Sequence, residues 1–267
     1  FDLLRDFAMK LPIELIGDML GVPREDRHLL SPWAVAILGG LEADLTPAQR
    51  DDAALAVDNF KDYLRWLIGE RQKNPLAGED GEVLSKLVGP DADDETLTER
   101  ELLHNCIFLL NAGHETTANT LTNGVDALLR FPDQLDRLRA EPALLAGAVE
   151  ELLRFESSVQ LNNRKLTADA EIGGVLMKKD DYVWLCIGAA NRDPAEFPDP
   201  DTIDIGRERN RHLAFGSGIH ACAGMSLGRM EIRIALNGFI RRFAQIEPTG
   251  TALHHPRARS RGFVNYP

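Results

Sequence analysis

Cysteine is scarce in these 267 residues: Cys106, Cys186 and Cys222 are the whole complement. No two of them form a Cys-x-x-Cys pair, so no disulfide framework is legible. Few cysteines, without a basic-then-apolar opening, set the expectation of a reducing cytoplasm. Long apolar runs are also missing. No stretch of eighteen apolar residues occurs, so no membrane-spanning helix is expected. Basic residues are the minority charge, with 30 Lys and Arg against 42 Asp and Glu and a net charge of −12. That balance argues against a general nucleic-acid binder. The seven histidines show no metal-ligand spacing, and neither His-Glu-x-x-His nor Gly-x-Ser-x-Gly occurs. Zinc-hydrolase and serine-hydrolase readings therefore have no support.

What is present is mostly helical periodicity. Leu3, Leu4, Phe7, Ala8 and Leu11 recur at helical spacing, and a second set, Ile13, Ile16 and Leu20, follows Pro12. Pro23 opens a helix stopped at Gly39-Gly40, and Thr46-Pro47 starts another. Breaks are expected at 74–81, rich in Pro and Gly, and at the acidic segment 89–95. The longest pattern starts at a capping box, Thr98-x-x-Glu101, and runs to Phe131-Pro132. Its ~33 residues would make a rod of roughly 50 Å. Two shorter helices follow, near 133–140 and 142–155. From Asn163 to Ile187, β-forming residues around Gly173-Gly174 predict a small sheet. A helix from Met225 to Phe243 and short strands in the tail complete the pattern. Cys106 and Cys186, among apolar neighbours, are expected to be core thiols.

Four motifs carry chemistry. Phe215-Gly-Ser-Gly-Ile-His-Ala-Cys222-Ala-Gly224 sets a cysteine in a glycine-rich loop just before a helix. A thiolate there would be stabilised by the helix's unpaired N–H groups, and glycines allow a flat ligand to approach the backbone. Glu151-Leu-Leu-Arg154 is, taken alone, an ordinary helix pair. Ala112-Gly-His-Glu115-Thr116-Thr117 interrupts the long helix with mediocre helix formers, whose hydroxyls can bond back and open a turn locally. Arg164 closes Leu161-Asn-Asn-Arg at the entry to a strand.

Together these resemble the cytochrome P-450 family. The cysteine loop matches the family's Phe-Gly-x-Gly-x-His-x-Cys-x-Gly haem signature at every fixed position. The resemblance implies a fold that is mainly α with a small β-sheet, N-terminally truncated. It implies one domain over 1–267: helical to 157, small sheet and coil over 158–211, cysteine loop and following helix over 212–243, and tail over 244–267. It implies haem b (iron protoporphyrin IX) ligated by Cys222, the metal ligand, with Phe215, Gly216, Gly218, His220 and Gly224 shaping the cradle. Arg164 and His220 would pair with propionates. Glu115 and Thr116 would hold water and deliver protons during O–O cleavage. Glu151, Arg154 and Arg207 would form a buried structural cluster. The implied activity is insertion of one oxygen atom of O2 into a C–H bond of a small hydrophobic organic substrate.

No flavin or iron–sulfur motif is present, so electrons would come from a separate protein. Arg207, Arg209, Arg211, Arg229 and Arg233 form a basic island, read either as a solvated face with local counter-charges or as a docking patch that would suit an acidic ferredoxin or flavodoxin. Soluble relatives run to ~400 residues, beyond the usual domain size. The region before Phe1 would supply helices, strands and a substrate loop. A chain without it is expected to expose strand edges and apolar surface, and to bind haem weakly, oligomerise through that surface, or need the absent segment supplied in trans. A non-catalytic remnant, with or without haem, is the competing reading. The Glu115-Thr116 pair argues against a peroxide-driven enzyme.

Overall fold

A computed structural model describes residues 1–42, 44–73, 83–88 and 97–267. The two expected breaks, at 74–81 and 89–95, lie outside the described residues. The chain divides into two compact units, Phe1–Ala118 and Asn119–Pro267.

The first unit is helical. A π-helical turn over Leu3–Ala8 is capped by Asp2, whose carboxylate accepts from the Arg5 amide at 2.9 Å. Helix α1 (Lys10–Leu20) follows, with Pro12 in its first turn, where the missing N–H would be unpaired in any case. The two apolar sets read from the sequence are therefore a π-helical turn and an α-helix in succession. Helix α1 ends at Gly21, whose φ of 66° is left-handed and favours glycine. A 3-10 turn over Arg24–Leu29 leads into α2 (Leu30–Gly39). Helix α3 (Pro47–Lys73) opens on a reciprocal cap, the Thr46 amide donating to Gln49 Oε1 at 2.9 Å and the Gln49 amide to Thr46 Oγ1 at 3.3 Å. Helix α4 is Val83–Val88 and α5 is Glu99–Arg130, whose residues to Ala118 belong to this unit. The expected Thr98–Glu101 capping box is formed, at 2.9 and 3.3 Å. Leu20, Leu30, Phe60, Leu64, Leu67 and Leu110 are fully buried in one core.

The second unit holds the remainder of α5, then α6 (Pro132–Ala140), a 3-10 turn at Pro142–Leu144, and α7 (Leu145–Phe155). Its strands make three separate antiparallel ribbons. β1 (Leu161–Lys165) pairs with β4 (Tyr182–Cys186), with Leu161 opposite Cys186. β2 (Ala170–Ile172) and β3 (Val175–Met177) flank Gly173-Gly174, both at positive φ, as a tight hairpin requires. β5 (Leu253–His254) and β6 (Phe263–Asn265) lie in the tail. The small sheet expected over 163–187 is thus two ribbons, because β1 has β4 and β2 has β3 as its one strand partner. Ile172, Val175, Leu176, Tyr182 and Trp184 on them are exposed. Cys186 is exposed too, which corrects its assignment as a core thiol. It ends the β1–β4 ribbon, and β-propensity in its neighbours does not by itself bury a residue. Cys106 is buried, and burial pushes its thiol up to about 11.

A short helix α8 (Ile187–Ala190) and a long coil precede α9 (Met225–Arg242). Leu128, Leu138, Leu152, Ile205, Leu236 and Phe239 are buried in this unit. Gly147 in α7 is a point of close approach. A Cβ there would lie 2.8 Å from the Ile205 carbonyl oxygen, which is backbone and cannot swing aside. Ala for Gly in a helix gains up to about 1 kcal/mol, whereas overpacking costs about 1–3 kcal/mol. Gly147→Ala is therefore expected to lower the melting temperature despite its better helix propensity, and thermal denaturation followed by circular dichroism checks the sign.

Candidate functional site

The cysteine loop is built by backbone hydrogen bonds. The Gly216 amide donates to Leu213 O at 2.8 Å and the Cys222 amide to Phe215 O at 2.8 Å. Gly216 (φ 69°) and Gly218 (φ 68°) take left-handed backbone that a side chain would strain. A 3-10 turn over Gly218–His220 brings the chain to Cys222, three residues ahead of α9. Gly224 caps that helix, and a Cβ there would lie 3.9 Å from Cys222 Sγ. Cys222 and His220 are exposed, as are the apolar side chains of Leu213 and, almost fully, Ile219 at 97%. An ordered loop that turns a thiol and apolar side chains outward fits a large, flat, apolar group ligated by sulfur. Arg164, on β1, is also exposed; its guanidinium donates only to the Asn163 carbonyl and meets no carboxylate among the described residues.

Behind the loop lies a fully buried ion pair. Arg154 donates from Nε and Nη2 to both oxygens of Glu151, at 2.8 and 2.7 Å, and neither side chain is exposed. Its remaining donors reach the carbonyls of Asn191, Pro200 and Thr202 at 2.9 to 3.0 Å. Arg207 Nε adds a third contact to Glu151 at 3.1 Å. Two partners carried no sequence signal of their own: the Asp204 amide and the Asn210 side chain, each donating to Glu151 at 3.0 Å. Asn191, fully buried, links the Arg154 site to the loop by accepting from the Leu213 amide at 2.7 Å. All five donors that Glu151 receives come from its own helix or the coil before the cysteine, so this coil is pinned to α7.

The basic island largely dissolves. Arg207 is taken by Glu151, Arg209 donates to Glu196 at 3.0 Å, and Arg229 donates to Glu150 at 2.7 and 2.9 Å. Arg211 and Arg233 remain exposed with no carboxylate among the described residues. Sequence proximity shows the cations and not the distant acids that neutralise them. A separate hollow of about 430 Å³, with Arg130, Arg192 and Arg261 around Phe155, is likewise charge-matched by Asp126, Glu156 and Asp201.

In the first unit, α5 runs as unbroken α-helix through Gly113–Thr117, so the expected local opening is not formed. Thr116 Oγ1 does bond back to the Ala112 carbonyl, at 2.6 Å, and Glu115 is buried. Gly113 is a packing glycine: a Cβ there would lie 2.6 Å from Ile16 Cδ1. His114 was not singled out by the sequence. It is fully buried, its ring nitrogens make no well-formed hydrogen bond among the described residues, and burial pushes it down to about 4.

A family model described as Cytochrome P450 matches residues 44–267. The chain belongs to that family. Its members are haem b enzymes. It is 38% identical over 245 residues to the biotin biosynthesis cytochrome P450 of Bacillus subtilis, covering 92% of this chain and 61% of that protein. It is 38% identical to the monooxygenase PikC of Streptomyces venezuelae, covering 100% of this chain and 62% of that protein. A crystal structure of P450BioI with an acyl-carrier protein ligated to hexadec-9Z-enoic acid superposes with a TM-score of 0.93 at 36% identity, covering 100% of this chain and 68% of that one. The chain thus spans about three fifths of the length of these curated relatives. No helix among the described residues is long and apolar enough to cross a membrane.

Two outcomes follow from these environments. Arg154→Ala leaves Glu151 charged in a fully buried site, which typically costs about 3–5 kcal/mol, so urea denaturation should show this variant largely unfolded or severely destabilised. His114 has a folded pKa below its unfolded one, so protons bind preferentially to the unfolded chain. Stability is expected to fall as pH drops from about 6.5 towards 4, by up to ~3 kcal/mol, and His114→Phe should flatten that part of the profile in denaturation midpoints measured across the range.

Proposed function

We propose that this chain carries the haem-holding part of a monooxygenase that inserts one oxygen atom of O2 into a C–H bond of a small hydrophobic organic substrate. The observation that carries the reading is Cys222: an exposed thiol in a backbone-ordered glycine loop, just ahead of a helix of eighteen residues. The thiolate is the form of cysteine that binds a metal. Cys222 Sγ would bind the haem iron, with Phe215, Gly216, Gly218 and Gly224 setting the loop's shape. Arg164 and His220 would hold the propionates, Arg164 through a fork that matches a carboxylate. When bound, haem supplies the activation of O2 that protein side chains cannot perform.

The protein's own part is geometry and protons. The loop would hold the sulfur at one position, and peptide N–H groups near it would tune its donation. Glu115 and Thr116 would bind water and pass protons, the hydroxyl of Thr116 being oriented by its bond to the Ala112 carbonyl. The names of relatives support a small organic substrate, among them a vitamin D(3) 25-hydroxylase and a polyketide biosynthesis P450. An acidic ferredoxin or flavodoxin would deliver electrons, with Arg211 and Arg233 as the cations left to receive it. Three free thiols suit the reducing cytoplasm.

Haemin added to the full protein is expected to give, after reduction and carbon monoxide, the red-shifted Soret band of a thiolate ligand. Cys222→Ala should abolish that band, and its persistence in the variant would overturn the reading. For the donor, Arg211→Glu with Arg233→Glu should slow reduction by an acidic ferredoxin and flatten its salt dependence, since rim charges act mainly on association; unchanged stopped-flow rates would exclude this surface.

A further inference from the structure

We infer that Glu150 is a positioning residue that fixes the Cys222 loop through Arg229, His212 and Phe215, a role that rests on Cys222 being the haem ligand. Glu150 and Glu151 are consecutive on α7, and successive helical residues point about 100° apart. Glu151 enters the buried cluster. Glu150 instead reaches the loop. Its Oε1 accepts from Arg229 Nε at 2.7 Å and its Oε2 from Arg229 Nη2 at 2.9 Å, a two-pronged contact. His212 Nε2 lies 3.1 Å from the same Oε2. One carboxylate therefore joins three elements: α7, the coil before the loop, and α9.

The link continues to the sulfur residue. The Arg229 guanidinium lies over the Phe215 ring at 4.7 Å from its centroid, and the His212 ring is 6.1 Å away. Gly228 in α9 adjoins that ring, where a Cβ would stand 3.8 Å away in ordinary contact. Phe215 O in turn accepts the Cys222 amide at 2.8 Å. Each step is a direct contact, so displacing Glu150 releases Arg229 and His212 from the ring that seats Cys222.

The pairing is stronger than an ordinary surface bridge for two reasons. Parallel N–H bonds to both carboxylate oxygens fix geometry as well as charge. Partial burial works against ionising Glu150, yet the hydrogen bonds and charges of His212 and Arg229 outweigh it and hold the carboxyl at about 2. Arg229 is thereby committed inward, to Glu150 and Phe215, and not to an incoming protein.

The test uses the full protein loaded with haemin. Glu150→Gln, Arg229→Lys and the double variant are compared with Arg209→Gln, which alters an exposed pair with Glu196. Two quantities are read: the rate of haem transfer to apomyoglobin, and the fraction of the reduced carbon-monoxide complex showing the thiolate Soret band. Loss of the clamp is expected to speed haem loss by about tenfold, equivalent to ~1.4 kcal/mol, and to lower the thiolate fraction. The double variant should be no worse than the worse single one, because both break one link. Arg209→Gln should match the parent. If Glu150→Gln does not fold, Arg229→Lys, which keeps the charge and loses the fork, decides alone. Parental haem loss and thiolate fraction in the variants, or additive effects in the double, would overturn the inference. A Cys222→Ala protein that kept the band would remove the functional reading itself; loss of the band there with a parental Glu150→Gln would remove only the clamp.

Discussion

Glu151 and Arg154 hold a complete ion pair with no access to water, and the second unit is organised around it. Burying two charges is unfavourable unless every lone pair and proton is matched. Here the carboxylate receives donors from Arg154, Arg207, Asn210 and the Asp204 amide, while the guanidinium donates to three backbone carbonyls. Those partners lie up to 59 residues away in the chain. The pair therefore works less as an attraction than as a requirement on geometry. The coil from Asn191 to Asn210 has almost no regular structure, yet it can take one course only, because any other leaves a buried charge unmatched.

That course delivers the chain to the cysteine loop. Asn191 carries the constraint forward through its bond to the Leu213 amide, and Glu150 carries it in parallel from the neighbouring position on α7. The loop then needs little of its own. Two left-handed glycines and a few backbone hydrogen bonds suffice to hold an outward-facing sulfur. Consecutive glutamates thus serve different ends, one turned to the interior of the unit and one to its site.

The first unit shows the opposite economy. Its core is mainly apolar, and its buried polar groups are Arg27 and a stretch of α5 that includes Asn111, His114, Glu115 and Thr117. Arg27 is admitted with Glu14 and Asp18 as partners. His114 is admitted without a good partner and stays neutral. It lies beside Gly113, Glu115 and Thr116, so this stretch of α5 joins tight packing against Ile16, a buried acid and a back-bonded hydroxyl within one helical turn.

Much of this was legible in the residues. Helical periodicity, the Thr98–Glu101 box and the glycine pair at 173–174 act over a few positions, so local sequence determines them. The cysteine loop was legible for the same reason, since its glycines and cysteine are contiguous. Tertiary structure alone decided what depends on distant partners. Cys186 lies outside, at the end of the two-stranded β1–β4 ribbon. Three arginines of the basic island are neutralised because Glu150, Glu151 and Glu196 come to them from elsewhere in the chain. Asn210, Asn191 and Glu150 acquire their roles only when α7, the coil and α9 meet. Backbone conformation is a short-range property and charge compensation a long-range one, so the sequence by itself determined the first and folding decided the second.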